Sequence, residues 1–173
     1  EVLSALPTKM PVSDYSVSSS FGIRTHPITG RPKLHMGVDL LTHGGDEVKP
    51  AKPGKVILAR AYQDYGNTVI VRHERGIETL YGHLSKHIAE LGDEVKAGDL
   101  LGHGGSTGRS TGPHLHYEAR YRGLAFNPNQ IFDFQKMEPV TRILSITKSL
   151  FSTYSSSQSV PNNGTTTRSA AYH

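Results

Sequence analysis

Residues 107–118 read TGRSTGPHLHYE, and the rest of the chain is best understood as their support. His114 and His116 flank a single leucine, the spacing that points two imidazoles from one face of a β-strand. Leu115 and Tyr117 then face the other way, into a core. The preceding run, residues 104–113, carries four glycines and a proline among small hydroxylated residues, so it is a loop that delivers the strand. Two ring nitrogens on one rigid face can serve a zinc site or an acid–base pair. An isolated HxH can equally be two solvent-facing histidines. The choice depends on what else the chain brings to that face.

Upstream, residues 31–45 read RPKLHMGVDLLTHGG, with His35 and Asp39 four apart. Zinc takes imidazole nitrogen and carboxylate oxygen, and catalytic sites use three protein ligands plus an open position. His35, Asp39 and His116 would supply such a set. On a straight strand, residues four apart lie roughly 13 Å from each other, too far to share an ion. A helix would bring them together, but Pro32, Gly37 and the Gly44-Gly45 pair argue against one. The chain is therefore predicted to bend between the two ligands, at Gly37.

Composition sets the outer bounds. The 173 residues are enough for one domain with its own core. With 35% hydrophobic and 20% charged residues, 18 Gly and 10 Pro, the chain reads as a loop-rich β protein. There is no Cys, which excludes disulfides, thiolate metal sites and a cysteine nucleophile. The net charge of +4 favours encounter with anionic polymers. The lysines are scattered, without a basic stripe interleaved with aromatics, so no nucleic-acid partner is expected. No signal peptide or transmembrane stretch is recognisable. The start at Glu1 fits a processed form, leaving room for a regulatory N-terminal region missing from this chain.

In order, residues 1–11 read as an N-terminal linker, and 15–21 as a strand. Residues 22–34 read as a loop. GDEVK occurs at 45–49 and again at 92–96, each copy followed by a turn and an apolar run, which predicts two similar hairpins. NTVIVRH (67–73) and ETLYGHL (78–84) read as strands around the Arg75-Gly76 turn. The one helical candidate inside the body is short, about 85–91, and NPNQIF (127–132) closes the domain. The domain is expected to span 12–136, with 137–173 a Ser/Thr-rich C-terminal tail.

His114 would lie roughly 6.6 Å along the strand from His116, within reach of a water on the metal without being a ligand. An imidazole titrating near neutrality is matched to such a water. His83, in YGHL, could hold the same water or a developing oxyanion; it could also be a surface histidine before a turn.

SSFGIRTHPITG, HMGVDL, YGNTVIVRH, TLYGHLS and GGSTGRSTGPHLHYE resemble, in order from about Val12 to Pro128, the motifs of the lysostaphin/LytM-type zinc metallopeptidases. That resemblance implies a small, mostly antiparallel β domain with a loop-lined groove. It implies one zinc held by His35, Asp39 and His116, with His114 and His83 as the catalytic pair. It implies a hydrolase of peptide cross-links in peptidoglycan, working in the cell envelope, periplasmic or secreted. The zinc-bound water would attack the scissile carbonyl with His114 as general base. The HPITG loop most resembles enzymes that cut D-alanine–diaminopimelate cross-links, a D,D-endopeptidase activity. Alternatives are a glycyl-glycine endopeptidase, or an inactive wall-binding or amidase-activating module. The presence of every ligand weakens the inactive reading. The repeated GDEVK also resembles turns of biotinyl and lipoyl carriers, but no Met-Lys-Met tip occurs. His103, where the family usually has an aliphatic residue, and the basic PAKPGKV turn are departures that bear on substrate preference.

Overall fold

The computed structural model describes residues 5–25 and 30–132. The expected tail, 137–173, lies outside the described residues, as do His26 to Thr29 of the THPITG segment. The strands in chain order are β1 (Ser16–Ser19), β2 (Gly22–Thr25), β3 (Pro32–His35), β4 (Val38–Leu41), β5 (Glu47–Val48), β6 (Gly54–Ala61), β7 (Asn67–Arg72), β8 (Ile77–Leu84), β9 (Lys86–His87), β10 (Glu94–Val95), β11 (Gly102–His103), β12 (His114–Tyr121) and β13 (Leu124–Phe126). A single helix turn, α1 (Asn129–Phe132), follows.

The main antiparallel sheet runs β1-β4-β12-β8-β7-β6-β10, with β13 added to β12. A smaller sheet is ordered β5-β11-β9, and β2 and β3 form a separate hairpin. The fold is thus the mostly β, antiparallel one that the resemblance implies. In β12, Leu115, Tyr117 and Ala119 are fully buried on one face. Their cross-strand neighbours Leu40, Val38, Tyr81 and Thr79 bury the same face of β4 and β8. Branched and aromatic side chains on a pleated surface make this the core. The opposite face of β12 carries His114, His116, Glu118 and Arg120, and β4 adds Asp39 to it.

Several expectations are corrected. The segment read as a loop, 22–34, contains the β2–β3 hairpin, in register from Gly22 opposite His35 to Thr25 opposite Pro32. The stretch read as a helix, 85–91, holds β9 and turns: Lys86 and His87 pair with β11, and Ile88 and Ala89 donate to the Leu101 carbonyl. The segment read as a linker packs from Ala5 onward, with Ala5 and Leu6 buried against Ile77, Ala119, Phe126 and Ile131. Its prolines set direction rather than flexibility, since Lys9 N–H bonds the Ala51 carbonyl and Lys49 N–H the Pro11 carbonyl.

The GDEVK copies share a turn but are not two hairpins. In each, the Asp carboxylate accepts from the backbone N–H three residues earlier, at His43 (2.7 Å) and Glu90 (2.8 Å). Gly45 and Gly92 occupy the left-handed region that glycine tolerates, at φ 98° and 101°. Beyond the turn they diverge: β5 pairs with β11, while β10 pairs with β6 on the edge of the main sheet. The sequence repeats a local turn, and tertiary pairing then differs.

Candidate metal centre and active site

The bend predicted between His35 and Asp39 is present, because β3 ends at His35 and β4 begins at Val38. Gly37 serves clearance there. A Cβ on it would lie 2.3 Å from the Tyr117 carbonyl oxygen and 3.0 Å from His116 Nε2. The β4–β12 register then sets Asp39 directly opposite His116.

Three donor atoms converge. His35 Nε2 lies 3.1 Å from Asp39 Oδ1 and 3.2 Å from His116 Nδ1, and His116 Nδ1 lies 2.8 Å from Asp39 Oδ1. All three residues are buried. A tetrahedral ion with bonds of about 2.0–2.1 Å holds its donors about 3.3 Å apart, so the spacing fits zinc.

The outer hydrogen bonds strengthen the fit. His35 Nδ1 lies 2.9 Å from the Ser20 carbonyl, an acceptor only, so this nitrogen carries the proton and Nε2 is left as a lone pair. His116 Nε2 lies 2.9 Å from Glu118 Oε1, which likewise leaves Nδ1 as a lone pair. With these tautomers three acceptors face one another, and a positive charge between them, a metal ion or a shared proton, satisfies all three. The titration tendencies agree. Burial alone would raise Asp39, but hydrogen bonds from His116 and His35 hold it well below the carboxylate range. Burial alone would lower His116, but Asp39 and Glu118 hold it above its ordinary value. Both directions describe a centre that favours positive charge.

Behind His116, Glu118 is fully buried. Its Oε1 accepts from His116 and from the Tyr65 hydroxyl (2.7 Å), and its Oε2 accepts from Arg120 Nε and a terminal nitrogen, both at 2.7 Å. Burial would raise the Glu118 carboxyl, yet these partners, His116 foremost, hold it low. On the other side of the centre, Arg24 reaches the outer oxygen of Asp39 at 3.4 Å.

His114 and His83 face the same space, with ring centroids 4.7 Å apart. Each has its Nδ1 against a carbonyl of the 105–113 loop, His114 on Gly112 and His83 on Thr107, both at 2.8 Å. These contacts place the ring proton on Nδ1 and turn Nε2 of each ring into the groove. His114 Nε2 sits 3.7 Å from Asp39 Oδ1. Burial pushes His83 down to about 4, which keeps it neutral.

Strict alternation along β8 would send His83 into the core, since Gly82 is the residue opposite His116 on the groove face. The β7–β8 register slips between Asn67/Leu84 and Val69/Tyr81, leaving an extra residue on β8. His83 takes up this bulge with φ 61°, a left-handed conformation that turns its ring toward the groove. The loop is fixed as well: Thr107 Oγ1 donates to the Leu84 carbonyl (2.6 Å) and accepts from Asn67 N–H (2.9 Å). Arg109 lines the groove but is paired with Asp64 at 3.3 Å.

The structure thus brings together all five residues singled out from the sequence. Glu118, Tyr65, Arg120 and Arg24 went unremarked there. For Glu118 and Arg120 a signal existed, because HLHYEAR repeats polar residues at every second position of one strand. Tyr65 and Arg24 arrive from other segments and have no such local signature.

A three-donor centre open on one side, beside two imidazoles that turn Nε2 toward it, is the site of a metal-dependent hydrolase. The chain belongs to peptidase family M23, whose model matches residues 33–128. It is 46% identical over 112 residues to the DD-carboxypeptidase/endopeptidase Mpg of Neisseria meningitidis serogroup B, covering 65% of this chain and 26% of that protein. Among solved structures it is similar to a zinc-containing peptidase from Vibrio cholerae (TM-score 0.66, 37% identity, 72% of this chain and 39% of that one). It is also similar to the catalytic domain of lysostaphin from Staphylococcus simulans (TM-score 0.62, 33% identity, 69% of this chain and 92% of that one).

Proposed function

We propose that this chain is a zinc-dependent endopeptidase that hydrolyses peptide cross-links of bacterial peptidoglycan, acting as a D,D-endopeptidase on D-alanine–diaminopimelate bonds. His35, Asp39 and His116 would hold the metal, one per chain. The observation that carries the reading is the pair of Nε2 atoms, on His83 and His114, left free by the Nδ1 contacts and facing the open side of the three-donor centre. Bound zinc supplies a Lewis acid and lowers the pKa of a water. His114 takes a proton from the attacking water and returns it to the departing amine. His83, neutral and with its N–H committed to Thr107, accepts the water's second proton as a hydrogen bond. That favours orientation of the water over donation to the oxyanion. The similarity to a protein named DD-carboxypeptidase/endopeptidase supports the choice of bond.

The catalytic unit is proposed to be residues 12–136, with residues 5–11 packed onto it. Its substrate places its work outside the cytoplasm, in the periplasm or secreted. No helix among the described residues is long and apolar enough to cross a membrane. The second reading, a glycyl-glycine endopeptidase, draws on the small residues of the 105–112 loop. Digestion of diaminopimelate-cross-linked muropeptides and pentaglycine-bridged wall side by side, with and without chelator, separates them. Chelator-sensitive release of monomers from the diaminopimelate dimers is the expected result. Cleavage confined to pentaglycine would overturn the choice of bond, and cleavage of neither would overturn the function.

A further inference from the structure

The groove has two walls, and their charges differ. On one, the 105–112 loop carries Arg109, which is already neutralised by Asp64. On the other, the β2–β3 hairpin sets Arg24 directly opposite Lys33, and both line the groove with the metal donors. Like charges directly opposite on an antiparallel pair are destabilising. Among the described residues, the only carboxylate in ion-pair reach of Arg24 is Asp39, whose other oxygen faces the metal centre, and Lys33 has none. Lys33 and His35 share a face of β3, roughly 6.6 Å apart at Cα level. An anion held between Arg24 and Lys33 would therefore sit about one residue from the bond being cut.

We propose that Arg24 and Lys33 form a subsite for a free carboxylate on the amine side of the scissile bond. This rests on the peptidoglycan reading above and extends it to specificity. In a diaminopimelate cross-link, the nitrogen of the scissile amide is attached to a carbon that also bears a free carboxylate. A peptide ending in D-alanyl-D-alanine presents the same chemistry through its C-terminus. A glycine bridge has no such group. One subsite would thus admit both endopeptidase and carboxypeptidase substrates and disfavour glycine bridges.

The test compares kcat/KM on four substrates: a cross-linked diaminopimelate dimer, the same dimer amidated at that carboxylate, a D-alanyl-D-alanine stem pentapeptide, and its C-terminal amide. The zinc-loaded wild type is expected to prefer each free acid over its amide by about tenfold, the scale of one charged hydrogen bond in a partly desolvated groove. Lys33→Met is expected to bring that ratio toward one. Lys96→Met, the same charge change at an exposed turn, is expected to leave it at the wild-type value. A preference only in the dimers would name diaminopimelate as the source, and one only in the pentapeptides the chain terminus. Equal cleavage of acid and amide by the wild type, or an unchanged ratio in Lys33→Met, would overturn the subsite. Failure to cut any of the four would instead overturn the D,D-endopeptidase reading, and the subsite with it.

Discussion

Replacing Glu118 by Gln probes how the His116 ring is held. Four donors converge on two carboxylate oxygens: His116 Nε2 and the Tyr65 hydroxyl on one, two Arg120 nitrogens on the other. Glutamine offers a single oxygen. If that oxygen stays on the His116 side, the amide N–H₂ faces a guanidinium that is only 16% exposed. Breaking one side of a buried ion pair costs about 3–5 kcal/mol. If the amide turns over, His116 Nε2 loses its acceptor, and the lone pair at Nδ1 is no longer enforced. Outer hydrogen bonds of this kind are worth about 10–100-fold in metal affinity. Zinc affinity by chelator competition, with urea unfolding of the metal-free protein, reads both effects. The expected result is a loss of affinity in that range, largely restored in Glu118→Gln/Arg120→Gln, where the amide oxygen is free to return to His116. Wild-type affinity together with a wild-type urea midpoint in the single variant would refute the reasoning.

Other outcomes follow from the same geometry. His114→Ala should keep its zinc and lose about 10²–10⁴ in turnover, measured on muropeptide dimers beside metal content; loss of metal would mean that the two histidines of HLH are exchanged. Gly37→Ala places a Cβ 2.3 Å from the Tyr117 carbonyl, and overpacking of this kind costs about 1–3 kcal/mol, read as a lower urea midpoint. Burial holds His73 below its ordinary value, against the pull of the Pro53 carbonyl and Glu78, with Lys52 adding to the depression. Because the unfolded chain then protonates first, stability should hold above about pH 6.5 and decline as the pH falls below it. His73→Gln should flatten that decline in urea midpoints, and an unchanged slope would show that other groups cause it.

The main sheet was legible because β7, β8 and β12 alternate or run apolar over long stretches. The five site histidine and aspartate positions were legible because the family motifs carry them. The β2–β3 hairpin was hidden by polar residues that face the groove or solvent instead of a core. The helix expected at 85–91 failed for the converse reason: Lys86 and His87 are claimed by β11, a pairing between residues distant in sequence. The orientation of His83 depends on a bulge, and bulges arise from the register between two strands rather than from either strand alone. Tyr65 reaches Glu118 across 53 positions of sequence, a separation no local pattern spans.

The central claim is that His35, Asp39 and His116 hold one zinc, and metal content in Asp39→Ala tests it most directly. Wild-type protein loaded with zinc and desalted should retain one ion per chain by elemental analysis. The variant should retain none while keeping the circular dichroism of a β domain. A full equivalent of zinc in a folded Asp39→Ala protein would contradict the account.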